Sequence, residues 1–228
     1  MLFRILHDER SGDLTYLLAD TDAREAVLVD PHSRDLPVLQ AMLNERSLRL
    51  RWLLRTHDHD DLKPGEGARL ARLQAPMVQG RMDRSVAADT DARPSVQCPA
   101  DGAVLTFGGE PVRVMHTPGH TAHCLSFAWR DRVFCGGLLA LDACPSQPHP
   151  AQPSALWDSV TQRIFTLPDE TLLFAGHERR ARAVSTVLEQ RRWHPRFAGL
   201  TRDTFLAQMA TLNTSVQKAS VLTPGLGR

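Results

Sequence analysis

The chain has 228 residues, of which 27 are Lys or Arg and 26 are Asp or Glu, so its formal net charge is +1. A charge this close to zero provides no electrostatic argument for nucleic acid or an anionic membrane as a partner. Hydrophobic residues make up 42% of the chain, which is typical of a globular protein and excludes a wholly disordered or fibrous chain. From the length we expect a single domain over residues 1–228.

The N-terminal segment and the cysteines bear on where the protein resides. Charged residues interrupt the first 13 positions, so the segment does not resemble a secretory signal peptide. The chain has no apolar run of about 18 residues, the length that a membrane-spanning helix needs. We therefore expect a cytoplasmic protein with no membrane segment. The four cysteines form no C-x-x-C pair, and we expect buried free thiols.

The first half of the chain alternates predicted strands and helices. Residues 14–19 and 26–30 are predicted strands with a polar link that suits a hairpin. Apolar residues recur at helical spacing within 35–47, a buried strand is predicted over 49–55, and a short helix over 67–74. This order indicates an α/β architecture.

The second half begins with an irregular segment, 81–102, which we expect to be rich in loops. Four predicted strands follow in close succession between 103 and 137. A helix is predicted over 154–167, then a strand over 171–177, and two helices within about 184–213 that pack on the domain.

Histidines and carboxylates lie at the ends of three predicted strands. The sequence Thr-His-Asp-His-Asp-Asp over 56–61 contains His57 and His59, while His120 and His177 each follow a glycine. Imidazole and carboxylate groups at the loop ends of a rigid sheet are what a zinc or iron site needs. A lone His-x-His is more often part of a solvated loop, so the prediction of a metal site depends on the three motifs occurring together.

These motifs, in this order, resemble the signature of the metallo-β-lactamase fold, which is T-H-x-H-x-D-H, then G-H-T, G-D and G-H. Residues 14–31, 116–127, 132–141 and 159–197 look like the corresponding stretches of persulfide dioxygenases, which are close relatives of glyoxalase II. The resemblance covers most of 14–213. It implies a single-domain α/β protein, an αββα sandwich with a metal at one edge of the two sheets.

The resemblance also implies the ligands. His57, His59 and His120 correspond to one metal position, and Asp61 and His177 lie near a second. We therefore predict these five residues as metal ligands.

Two positions depart from the family pattern. Leu62 stands where the family has a ligand histidine, and Gly137 stands where it has a ligand aspartate. We therefore expect one divalent ion per chain, Fe(II) or Zn(II), bound chiefly by His57, His59 and His120, and we expect Gly137→Asp to strengthen metal binding.

The substrate region departs as well. The family has a loop with Gly and Arg that helps to hold glutathione, but here residues 142–150 contain three prolines and no Lys or Arg. Arg179 and Arg180 follow the last motif and are our candidates for binding an anionic substrate.

Three functions are compatible with these residues. The leading hypothesis is a persulfide dioxygenase-like enzyme that oxidises a low-molecular-weight persulfide at a mononuclear iron. The first alternative is a glyoxalase II-like zinc hydrolase of thioesters or esters, in which Asp61 would orient the attacking water. The second is a catalytically lapsed binding module of the same fold. The expected partner is a small thiol-derived molecule, with no nucleic acid and no membrane, and a homodimer is left open.

Overall fold

The computed structural model describes residues 1–57, 66–80, 95–139, 144, 150–178 and 182–221, with side chains as far as residue 212. Two six-stranded sheets dominate it, and in each sheet the strands are neighbours in chain order. The first sheet consists of β1 (Leu2–His7), β2 (Leu14–Asp20), β3 (Glu25–Val29), β4 (Arg49–Leu54), β5 (Met77–Val78) and β6 (Val96–Gln97). The second consists of β7 (Val104–Phe107), β8 (Glu110–His116), β9 (Leu125–Trp129), β10 (Arg132–Gly136), β11 (Leu172–Ala175) and β12 (Val184–Thr186).

Within the described residues, five α-helices accompany the sheets: α1 (Leu36–Glu45), α2 (Glu66–Leu70), α3 (Pro153–Ser159), α4 (Val187–Trp193) and α5 (Arg202–Val221). The third continues as a π-helical turn over Val160–Ile164. The pairs β3–β4, β4–β5, β5–β6 and β10–β11 are parallel. Between β3 and β4 and between β10 and β11 a helix forms part of the long crossover that parallel neighbours need.

Three apolar clusters explain the layering. Side chains of both sheets, among them Tyr16 and Phe127, form the cluster between the sheets. Leu39 of α1 packs on the outer face of the first sheet, and Leu156 and Phe205 of α3 and α5 pack on the outer face of the second. Each sheet is thus covered on both faces, which confirms the αββα sandwich.

The strands predicted with buried apolar runs are present, including the hairpin of β2 and β3. The first strand, β1, was not predicted, since it is an edge strand whose side chains are mostly partly or fully exposed. The helix predicted from residue 184 was wrong in its first turn, because Val184–Thr186 form the edge strand β12. Helix α4 begins only at Val187, where the Thr186 hydroxyl accepts a hydrogen bond from the backbone N–H of Glu189 at 3.1 Å.

Other expectations have mixed outcomes. All four cysteines are free, and three are buried as expected, but Cys98 is exposed. Within 81–102, residues 81–94 lie outside the described residues, and Val96–Gln97 form a short strand. Of the helices that are described, none has the length and apolar character to cross a bilayer.

The Tyr16 side chain connects the two sheets. Its hydroxyl donates a 2.5 Å hydrogen bond to the Ala175 carbonyl at the end of β11, and the residue is 1% exposed. We expect Tyr16→Phe to lower the free energy of unfolding by about 1–3 kcal/mol, because the buried carbonyl loses its donor. Urea denaturation measures this difference. An unchanged midpoint and slope would contradict the role of this hydrogen bond.

Candidate metal centre

The two sheets are joined at one edge by backbone pairing between the start of β2 and the residues after β11. Asp13 and His177 form an isolated antiparallel bridge. On either side of it, the N–H of Leu14 donates to the Gly176 carbonyl at 3.0 Å, and the N–H of Glu178 donates to the Gly12 carbonyl at 2.7 Å. This sheet junction, residues 12–14 and 176–178, fixes the backbone that carries His177.

His57 is held by a chain of hydrogen bonds that begins at Asp30. The Asp30 carboxylate accepts from the backbone N–H and the hydroxyl of Thr56, both at 2.7 Å. Burial raises the pKa of Asp30, while these two bonds favour its ionised form. The Thr56 hydroxyl has one proton, so it accepts from Nδ1–H of His57 at 2.7 Å. The Nε2 atom of His57 therefore keeps its lone pair.

His177 is oriented in the same way by Asp13. Its Nδ1 lies 2.8 Å from Asp13 Oδ1, and the same carboxylate accepts from Arg34 at 2.5 Å. Burial opposes ionisation of Asp13, but the hydrogen bond from His177, the electrostatic interaction with His32 and the hydrogen bond from Arg34 hold its pKa well below the usual range. An ionised carboxylate only accepts, so Nδ1 of His177 donates, and in the neutral imidazole the lone pair is on Nε2.

The two imidazoles face each other through these lone pairs. Nε2 of His57 lies 2.9 Å from Nε2 of His177. Two lone pairs at this distance repel unless a proton or a metal ion lies between them. Burial by itself lowers the pKa of His177, but hydrogen bonds with Asp13 and Cys144 raise it to about 9. Nitrogens that bind one tetrahedral zinc ion are about 3.3 Å apart, so the pair fits a metal ion after a small adjustment.

A thiol completes the group. The ligand atoms of His57, His177 and Cys144 all lie within 4.8 Å of one another, and Cys144 and His177 are buried. This group lies in the part of the chain that the structure describes. No motif in the sequence predicted a role for Cys144.

His120 also packs against His57, with 4.9 Å between the ring centroids. It is fully buried, and its Nδ1 is 3.8 Å from the Cys124 sulfur. Its ring covers Gly137 so closely that a Cβ there would lie 2.3 Å from Nδ1 and Cε1. An aspartate at position 137 is therefore incompatible with this placement of His120.

The structure thus brings together three of the predicted ligands, His57, His120 and His177, and their role as ligands stays a prediction. His59, Asp61, Leu62, Arg179 and Arg180 lie outside the described residues, so their predicted roles also remain predictions.

Comparison with known proteins identifies the family. No protein-family model matches the chain. Persulfide dioxygenase ETHE1 of Homo sapiens is 33% identical over 216 residues, which are 93% of this chain and 82% of that protein. The chain belongs to the persulfide dioxygenase family. The crystal structure of ETHE1 from Myxococcus xanthus has a TM-score of 0.78 and 36% identity, covering 93% of this chain and 92% of the other.

Two further similarities are informative about the wider superfamily. A hydroxyacylglutathione hydrolase of Synechococcus sp. is 30% identical over 172 residues, 72% of this chain and 63% of that protein. A metallo-β-lactamase structure from Staphylococcus aureus, 21% identical with a TM-score of 0.77, covers 92% of this chain and 66% of the other and supports the fold. The persulfide dioxygenase family and its relatives are enzymes, and they imply a metal cofactor, iron or zinc.

The contact between Asp13 and His177 predicts a measurable effect on metal affinity. We expect Asp13→Asn to weaken Zn(II) or Fe(II) binding about 10–100-fold, because partners of a ligating imidazole fix its tautomer and orientation. Competition with a chromophoric chelator measures the affinity. Asp8→Asn is the matched control, because Asp8 also pairs with Arg34, at 2.9 Å. Equal affinities for the two variants would contradict the role given to Asp13.

The family pattern led us to expect that a side chain at position 137 would strengthen metal binding. The contact between Gly137 and His120 instead predicts that a side chain there destabilises the protein. Gly137→Ala should lower the free energy of unfolding by about 1–3 kcal/mol, because the added methyl displaces a packed imidazole. Gly109→Ala is the control, since a Cβ there meets its nearest atom at 3.9 Å.

The same substitution in a His120→Ala background completes a double-mutant cycle. We expect most of the cost of Gly137→Ala to disappear there. Equal costs in both backgrounds, measured by urea denaturation, would show that the two residues do not interact.

Proposed function

We propose that this chain is a metal-dependent enzyme that oxidises a low-molecular-weight persulfide with O₂ at a single iron ion. The observation that carries the proposal is the pairing of His57 and His177 at the sheet junction, with their Nε2 atoms 2.9 Å apart, in a member of the persulfide dioxygenase family. When bound, Fe(II) would supply the redox chemistry that brings O₂ and the persulfide sulfur together.

The residues around the site have defined tasks in this proposal. Asp13 and Thr56 hold the two imidazoles in the tautomer that offers Nε2, so no reorientation is needed when the ion binds. The apolar core behind the junction, including Phe134 and Phe174, keeps one side of the site free of water. This environment strengthens electrostatic interactions with a charged sulfur species.

The proposed reaction is balanced with one water. A persulfide R–S–SH reacts with O₂ and H₂O to give R–SH and sulfurous acid, which ionises to sulfite. The outer sulfur loses five electrons and the inner sulfur gains one, so the two sulfurs together lose four electrons, and the two atoms of O₂ gain two each. The S–S bond breaks, and the inner sulfur leaves as the thiol.

The proposed substrate is smaller than glutathione persulfide. The stretch 142–150 has three prolines and no basic residue, so it offers few donors to the carboxylates of glutathione. Arg179 and Arg180 supply cationic contacts from another part of the chain in this proposal. Cysteine persulfide is a suitable small probe.

Oxygen uptake and sulfite formation by the iron-loaded protein test this function. We expect equimolar O₂ consumption and sulfite production from cysteine persulfide, with much slower turnover of glutathione persulfide. His57→Ala should abolish the activity. His116→Gln is the control, because His116 contacts the Pro99 carbonyl, at 2.9 Å, on another part of the sheet. Turnover of glutathione persulfide at about 10 per second, the median for enzymes, would contradict the substrate proposal.

The similarity to hydroxyacylglutathione hydrolases favours a second candidate, a zinc-dependent thioester hydrolase with Asp61 orienting the water. Thioester cleavage by the zinc-loaded protein, without oxygen uptake by the iron-loaded protein, would favour that candidate. Inactivity in both assays with metal bound would favour the binding module.

A further inference from the structure

The chain combines the loss of one anionic ligand with the presence of an unassigned thiol at the same site. Gly137 stands where the family pattern has a ligand aspartate, and the ring of His120 fills the space that any side chain at 137 would enter. Position 137 therefore supplies no donor to the site. Cys144, seven residues farther along the chain, lies beside His57 and His177.

Cys144 combines burial with a position beside the pair formed by His57 and His177. It is 1% exposed, and it hydrogen-bonds to His177, whose Nε2 faces His57. Its sulfur and one nitrogen of each histidine lie within 4.8 Å of one another. By contrast, Cys98 is exposed, and the Cys135 thiol donates to the Phe174 carbonyl.

We propose that Cys144 is a metal ligand and that it forms a two-histidine, one-thiolate site with His57 and His177. The inference rests on the metal dependence of the proposed function but not on its substrate. Two neutral imidazoles and one thiolate leave a net charge of +1 on a divalent ion, as do two imidazoles and one carboxylate.

The donor set has consequences for the metal and for access to it. Thiolate is a softer donor than carboxylate and favours zinc, or iron in a sulfur-rich environment, over magnesium or manganese. Three protein ligands leave at least one position for a substrate or water, which is the arrangement of catalytic rather than structural sites. In this proposal the chain has replaced the family's aspartate ligand with the Cys144 thiolate and has not simply lost a ligand.

Cobalt(II) spectroscopy on the full chain tests the proposal independently of activity. A thiolate bound to Co(II) produces an intense charge-transfer band in the near ultraviolet, which imidazole and carboxylate ligands do not. We expect this band in the parent, saturating at one Co(II) per chain. Cys144→Ser should remove the band and weaken Co(II) binding by more than about 100-fold, since even indirect partners contribute 10–100-fold.

Cys135→Ser is the matched control, because Cys135 is also buried and serine retains its donor; the band and affinity should be unchanged. Cys144→Asp is the second variant, which should lose the band and still bind one ion through its carboxylate. Stoichiometric Co(II) binding by the parent without a charge-transfer band would overturn the proposal, whether or not the variants fold. So would no Co(II) binding, or a band that persists in Cys144→Ser.

The Co(II) spectrum and the oxygen-uptake assay test the Cys144 ligand and the proposed function independently of each other. A thiolate band without persulfide oxidation would uphold the Cys144 ligand and refute the proposed function. Persulfide oxidation without a thiolate band would do the reverse.

Discussion

The antiparallel bridge between Asp13 and His177 is the constraint on which the candidate site depends. The bridge joins the two sheets at one edge, and it places the Asp13 carboxylate against the His177 imidazole. The backbone pairing therefore fixes the position of the His177 main chain, and the side-chain hydrogen bond fixes the orientation of its ring. Asp30 and Thr56 fix His57 from the first sheet in the same manner. The apolar cluster between the sheets maintains the distance between them. The Nε2 atoms of His57 and His177 are therefore held close together by the two packed sheets.

Much of the fold could be predicted from the sequence, because the central strands are buried and have an apolar composition that loops lack. Every residue of β2 except the last is buried, and the hairpin that it forms with β3 was predicted. The strands at the sheet edges were harder: β1 was missed and β12 was assigned to a helix, since few of their side chains are buried. For such strands the pairing partner determines the conformation, and a local pattern does not reveal it.

The site was also predicted only in part, because local sequence patterns identify some of its residues and not others. His57, His120 and His177 follow recognisable strands and motifs, and the structure brings them together. Asp13 lies 164 residues from His177 in the chain, and no local motif connects them. Cys144 belongs to no predicted strand or helix, so its position in the sequence indicates nothing about its proximity to the histidines. The effect of Gly137 was also hidden, because only the structure shows that the His120 ring occupies the space of a side chain.

Membership in the persulfide dioxygenase family establishes the ancestry of the site, but the residues within it decide its chemistry. In this chain the junction of the sheets and its two histidines are present, while the anionic donor is proposed to have moved from position 137 to Cys144. Anomalous diffraction at the absorption edge of the bound metal tests the central claim most directly. The account predicts one ion per chain, about 2.0–2.2 Å from Nε2 of both His57 and His177. Two fully occupied ions, an ion remote from this pair, or no ion after metal supplementation would contradict it.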